Sequence, residues 1–278
     1  MKRTYLLLIV LLLTGVDAAY AQADIRKVDF QNFTYKPYCA GEDAQNVTVK
    51  KGEYSKETQM DGYVDHFYFN ILGVEYGDLT GDKQDEAVVL SVCNTGGTGQ
   101  FTEGFIYAMK AGKPSLIARV PGGDRADGGL RFLTVENGHL VIDANDADAN
   151  SGACCPEYAI RSTYRLAGDK LIELGKGVRR ALYPAETLAF DRGAFGKTFS
   201  VTVGTDDRKR YTLGARAGQT LTVSVNTSDA ALRLLGDTDA AEGKNSINAK
   251  LPKSGDYTFE ISNYSDKPIQ VTVTVSIK

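Results

Sequence analysis

Tryptophan is missing from this 278-residue chain, and histidine occurs only at His66 and His139. A Ser-His-Asp hydrolase would need one of those imidazoles beside an activated serine, and no G-x-S-x-G elbow is present. No glycine-rich stretch ends in the Gly-Lys-Ser/Thr of a phosphate loop. A basic excess is also lacking: 32 Lys and Arg face 35 Asp and Glu, for a net charge of −3, which argues against a nucleic-acid partner. Past the N-terminus no apolar run approaches the about 20 residues that span a bilayer. No long stretch has a helical period. The one catalytic arrangement left open is a carboxylate pair of the glycosidase kind, and no pair stands out. The expectation is a protein that is not an enzyme.

What is present begins with a leader. "MKRTYLLLIVLLLTGVDAAYAQA" has basic Lys2 and Arg3, an apolar core from Leu6 to Leu13, and small residues at Ala19-Tyr20-Ala21 or Ala21-Gln22-Ala23. This reads as a secretory signal peptide over residues 1–23, cut after Ala21 or Ala23, and the mature chain is expected to be periplasmic or secreted.

Export sets the redox expectation. Cys39, Cys93, Cys154 and Cys155 meet an oxidising compartment, where disulfides are the default. A vicinal Cys154–Cys155 bond is strained, so each of these two is expected to pair with Cys39 or Cys93. A zinc site is the rival reading, but it lacks paired C-x-x-C spacing.

Two domains are expected: a β-rich, disulfide-bonded domain over 24–180, a linker over 181–189, and an antiparallel β-sandwich over 190–278. In the second, Phe199, Val201 and Val203 alternate with polar residues. So do Tyr211, Leu213 and Ala215; Leu221, Val223 and Val225; and Ile269, Val271, Val273, Val275 and Ile277. Period-two patterns with short turn-rich gaps predict about seven or eight antiparallel strands packed face to face. In the first domain, "EAVVLSV" over Glu86–Val92 predicts a strand buried on both sides. Asn137-Gly138 predicts a hairpin turn. A short helix over Leu182 to Leu188 is the one helical candidate, so the fold class is mainly β.

"YGDLTGDKQDEAVVL" places Asp78, Thr80, Asp82 and Glu86 at relative positions one, three, five and nine, a spacing able to aim several oxygens at calcium. It resembles the calcium loops of FG-GAP repeats, but Thr80 stands at position three and Lys83 replaces the turn glycine. The favoured reading is an acidic turn held by Asx-type hydrogen bonds. A second acidic run with Asp143, Asp146 and Asp148 reads as a solvated loop. The glycine-rich stretches "CNTGGTGQFTEG" and "VPGGDRADGG" read as turns, with a sugar or anion contact as the alternative. The block "YGDLTGDKQDEAVVLSVCNTGGTG", with "GACCPEY" further on, resembles exported bacterial proteins of the LppP/LprE type. That resemblance implies a cell-envelope setting and no particular activity.

The order "FDRG … RYTLGARAGQTLTVSV … LPKSGDYTFEIS … VTVSIK" resembles two related sandwiches. One is the periplasmic inhibitor of g-type lysozyme, and the other is the bacterial pre-peptidase C-terminal (PPC) domain. The inhibitors share a Ser-Gly-x-Tyr loop, which here is Ser254, Gly255, Asp256 and Tyr257. The resemblance implies a polar tip offering hydroxyls to the catalytic acid of a lysozyme cleft, with g-type lysozyme as partner. Lys253, Arg208 and Arg210 would support it electrostatically, with Lys209 and Arg216 nearby. The inhibitor family also carries an aromatic in the loop before the Tyr211 strand, and "GTDDRKR" has none. The alternative is a non-catalytic PPC-like module that binds glycan or another envelope protein.

Overall fold

The computed structural model describes residues 24–40, 46–96, 99–123, 128–146, 156–205, 207–236 and 245–278. The leader expected over 1–23, and Cys154 and Cys155, lie outside these residues. Among the described residues the chain forms twenty strands and two short 3-10 turns. It divides into two compact units.

The first unit runs to Asn145 and takes in Ile160–Val178. It opens with 3-10 turns at Ile25–Lys27 and Tyr38–Ala40, and with short paired strands β1 (Thr34–Tyr35) and β2 (Val47–Thr48). An antiparallel meander follows: β3 (Glu53–Met60), β4 (Tyr63–Gly77), β5 (Glu86–Asn94), β6 (Phe101–Lys110) and β7 (Lys113–Gly123). A second sheet has the order β11-β10-β9-β8, from β8 (Leu130–Glu136), β9 (His139–Asp146), β10 (Tyr158–Ala167) and β11 (Lys170–Glu173).

β5 is the central strand and is buried along its whole length, as its largely apolar sequence predicts. Ala87, Val89 and Cys93 point into one core, with Phe69, Phe105, Tyr107 and the N-terminal Ile25, Phe30 and Tyr35. Val88 and Leu90 point the other way, into a core with Leu130, Leu133, Leu140 and Ile142 of the second sheet. Successive strand residues face opposite sides, so a strand between two layers is apolar at most positions, and the buried Glu86, Ser91 and Asn94 of β5 are hydrogen-bonded. The β8–β9 turn has Asn137 at φ 51° and Gly138 at φ 76°. Positive φ at both central residues is what a type I′ hairpin turn requires, and Asn-Gly supplies it at least strain.

The expected cysteine pairing is corrected. Cys39 bonds Cys93, with Cα atoms 6.6 Å apart. The Tyr38–Ala40 turn lies over the face of β5 that Cys93 shares with the N-terminal segment, and both cysteines join that core. Neither Cys39 nor Cys93 is therefore available to Cys154 or Cys155.

The second unit comprises Asp146–Ala159 and Arg179–Lys278. Past the short β12 (Val178–Ala181), eight strands form two four-stranded sheets. One has the order β13-β15-β19-β17, from β13 (Ala185–Thr187), β15 (Arg208–Ala215), β17 (Ala230–Leu235) and β19 (Gly255–Asn263). The other has the order β14-β20-β16-β18, from β14 (Gly196–Val203), β16 (Thr220–Val225), β18 (Ser246–Lys250) and β20 (Ile269–Ile277). One core joins their inner faces, with Tyr211, Leu213, Phe259 and Ile261 opposite Leu221, Val223, Val271, Val273 and Val275. The helix expected over Leu182 to Leu188 is corrected: Ala185–Thr187 is strand β13, parallel to β15. Its backbone completes an edge of the sheet, and Leu188 drops into the core.

Candidate functional site

The Ser254–Tyr257 tip sits where β18 hands over to β19. Leu251 is buried and anchors the turn through bonds to the neighbouring Arg216–Gln219 turn. Gly218 N–H donates to Leu251 O at 2.8 Å, and Leu251 N–H to Gln219 O at 2.7 Å. Pro252, Lys253, Ser254, Gly255 and Asp256 are exposed. Gly255 has φ 154°, a backbone angle that side chains disfavour, and a Cβ there would meet open space.

Tyr257 shares the parity of Phe259 and Ile261, so its ring packs against the sandwich core at the end of the strand. Its hydroxyl reaches back over the turn, donating to Lys253 O at 2.7 Å and accepting from Lys253 N–H at 3.3 Å. Ser254 Oγ accepts from Ala217 N–H at 2.9 Å. Accepting uses a lone pair and leaves the serine proton free to donate outward, whereas the tyrosine proton is already engaged. The two hydroxyls therefore differ: one braces the tip and one can offer it to a partner.

The basic residues divide in the same way. Lys253 is in the turn, and exposed Arg216 adjoins Ala217, whose amide holds Ser254. Arg208 and Arg210 do not join them. Ala215 pairs with Gly255, but Arg210 pairs with Glu260 and Arg208 with Ser262. Arg210 thus lies five residues along β15 from the tip, about 17 Å at the rise of a strand. Its guanidinium is bound at both ends, to Glu260 through Nε at 2.7 Å and to Glu157 at 2.5 and 2.9 Å. Burial alone would lower its pKa, but the bonds to Glu157 and Glu260 outweigh this and the pKa is raised. Arg208 stands 3.9 Å from both carboxylates and over the Tyr183 ring. Lys209 is paired with Asp207 at 3.0 Å. Alternation along β15 puts Arg210 on the outward face, but its pairing with Glu260 is set by register, which alternation alone does not show.

In the first unit the Asp78–Glu86 loop is tied by its own backbone. Asp78 accepts from Gly81 N–H at 2.6 Å and from Lys83 N–H at 2.8 Å. Asp82 accepts from Gln84 N–H at 2.9 Å. Glu86 accepts from Leu79 N–H at 2.8 Å and Thr80 N–H at 3.1 Å, and the Thr80 hydroxyl lies 3.5 Å away. These are the Asx-type bonds of an acidic turn. Burial raises the Glu86 pKa, partly opposed by the two amides. Lys83 takes φ 69°, so the position that would suit glycine is left-handed although a lysine fills it. Among the described residues no three or more His, Cys, Asp or Glu are grouped to hold a metal ion.

His66 lies exposed on β4, 3.5 Å from Glu57. Nδ1 of His139 lies 3.0 Å from Asn137 O at the hairpin turn. Asp143 is buried beside Arg131, and Asp146 is paired with Arg179; Asp148 lies outside the described residues. No helix among the described residues is long and apolar enough to cross a membrane.

No family model and no curated protein matches the chain, so the likenesses to the PPC and LppP/LprE types rest on the residues quoted above. Solved structures do match. The periplasmic inhibitor of g-type lysozyme (PliG) of Aeromonas hydrophila is similar at 25% identity over 33% of this chain and 94% of its own, with a TM-score of 0.29. PliG of Salmonella Typhimurium is similar at 23% identity over 34% of this chain and 97% of its own, with a TM-score of 0.29. A mutant of the Escherichia coli PliG is similar at 22% identity over 33% of this chain and 96% of its own, again with a TM-score of 0.29.

Proposed function

We propose that the second unit is a non-catalytic inhibitor of g-type lysozyme in the periplasm or outside the cell, acting through the Ser254–Tyr257 tip. The observation that carries this reading is the tip's construction. The exposed Ser254, Gly255 and Asp256 are braced from within by the Tyr257 hydroxyl, while Ser254 keeps a proton to donate. A lysozyme cleft contains a catalytic carboxylic acid, and a rigid hydroxyl donor meets it without loss of loop entropy on binding. A hydrogen bond to the acid's ionised carboxylate form contributes about 1.5–3 kcal/mol when water is excluded. Lys253 and Arg216 complement the acidic cleft and are free of ion pairs among the described residues.

A second reading has its own observation. Both tip hydroxyls bond within the sandwich end, as a structural corner would, and this favours a PPC-like accessory module that binds a glycan or an envelope protein. Enzyme assays separate the two. Purified protein is expected to slow g-type lysozyme, with Ser254→Ala weakening inhibition about tenfold or more. Full lysozyme activity at micromolar protein, for g-, c- and i-type enzymes alike, would remove the inhibitor reading.

A further inference from the structure

The first unit carries an open cleft that none of the above explains. β3 pairs with β4 from Tyr63 onward, but β5 pairs with β4 only from Tyr68, opposite Asn94. Over Tyr63–Phe67 one edge of β4 therefore has no partner strand among the described residues. Along that edge lies a cleft of about 650 Å³. Its size falls within the roughly 300–1,000 Å³ of small-ligand sites. Because the cleft follows an edge, side chains from both faces of the strand reach it.

Its lining is polar and aromatic. Tyr63, which is 61% exposed, and Tyr68 supply rings, and Asp65 and Gln100 supply a carboxylate and an amide. None of these four has a side-chain hydrogen bond or ion pair among the described residues. The floor, by contrast, is fixed. Asn94 is buried, donates to Gly99 O at 2.6 Å and accepts from Gly96 N–H at 2.8 Å. Gly96 has φ 85°, and the Asp65 carboxylate occupies the place a Cβ would take there. The glycine thus permits the close approach that aims Asp65 along the cleft.

We propose that this cleft binds a neutral saccharide. A sugar ring has an apolar C–H face, which suits an exposed tyrosine ring, and a rim of hydroxyls that both donate and accept. Asp65 accepts from those hydroxyls, while Gln100 and the tyrosine hydroxyls do both. An unpaired carboxylate disfavours acidic sugars. A peptide adding to the open edge of β4 would want pockets for alternate side chains, and among the described residues the cleft offers one aliphatic side chain, Val64. The proposal concerns the first unit and does not rest on the inhibitor reading.

Calorimetric titration of the full chain with the β-1,4-linked tetrasaccharides of N-acetylglucosamine and of glucose tests it. At least one is expected to bind saturably with a Kd of about 1 mM or tighter. Tyr63→Ala and Asp65→Asn are each expected to weaken binding about tenfold, with Gln100→Ala as a third variant at an exposed position. Circular dichroism of the three variants should match that of the parent. No binding of either sugar at about 10 mM would overturn the proposal. So would binding that all three variants leave unchanged, or a cleft that takes only extended peptides.

Discussion

Arg210 on β15 and Glu260 on β19 stand opposite each other in the sheet register, and the guanidinium closes on the carboxylate through Nε at 2.7 Å and a terminal nitrogen at 2.5 Å. The Glu260 side chain is 4% exposed and the Arg210 side chain 13%. A charge buried this deeply is tolerated only with its partner present. Arg210→Met is therefore expected to destabilise the second unit by about 3–5 kcal/mol, because the buried Glu260 loses its hydrogen-bonded partner. Arg208, at 3.9 Å, is too distant to replace the lost hydrogen bonds. The double variant Arg210→Met/Glu260→Met should recover most of the loss. Urea unfolding checks both, and an unchanged midpoint for the single variant would refute the account.

Glu157 binds the other side of the same guanidinium, and that hydrogen bond is the main reason its pKa lies below the ordinary 4.5. In the window between the depressed folded value and 4.5, the unfolded state binds more protons than the folded one, so stability rises with pH there. The contribution is complete above 4.5 and is lost as pH falls through the folded value. Thermal unfolding from about pH 3 to 6 should show Glu157→Gln with a shallower acid loss than the parent. Parallel curves for the two proteins would exclude this linkage.

Gly255 combines φ 154° with open space around its absent Cβ. Gly255→Ala should then act through backbone strain alone, costing about 1–3 kcal/mol or shifting the tip. A crystal structure or amide chemical shifts of the variant would locate the change at Lys253–Tyr257. An alanine accommodated with no loss of stability would contradict the assignment.

The Tyr257 hydroxyl donates inward to Lys253 O, so Tyr257→Phe removes a brace. The expected cost is about 1 kcal/mol of stability, with a smaller loss of lysozyme inhibition than Ser254→Ala produces. Paired inhibition and unfolding curves distinguish the roles. A larger inhibitory defect from Tyr257→Phe than from Ser254→Ala would reverse them.

The Cys39–Cys93 bond closes 54 residues. On the loop-entropy relation its removal destabilises by about 4 kcal/mol. Cys39→Ser with Cys93→Ser should lower the unfolding midpoint of the first unit and leave the second in place. A single common shift of both transitions would argue against this.

Much of the strand content was legible without coordinates. The alternations around Val201, Leu213, Val223 and Val273 turned out to be inner faces of the sandwich, and the run at Glu86–Val92 proved to be a doubly covered strand. The Asn137-Gly138 turn was equally plain. Residues 182–188 were not, because β13 is held by backbone pairing to β15 rather than by any pattern of its own. The Cys39–Cys93 pairing was not legible either, because the strain of a vicinal bond says nothing about which face of β5 the N-terminal segment covers.

What the sequence by itself determined is the class of fold and the composition of the tip. Period-two burial is local, and Pro252, Ser254 and Gly255 favour a chain reversal wherever they stand. Only the tertiary structure decided which residues share an end of the sandwich. Pairing of Ala215 with Gly255 carries Arg210 away to Glu260 and leaves Lys253 and Arg216 at the tip. Register is a long-range property, set by which strands meet and where they begin. No run of residues read alone contains it.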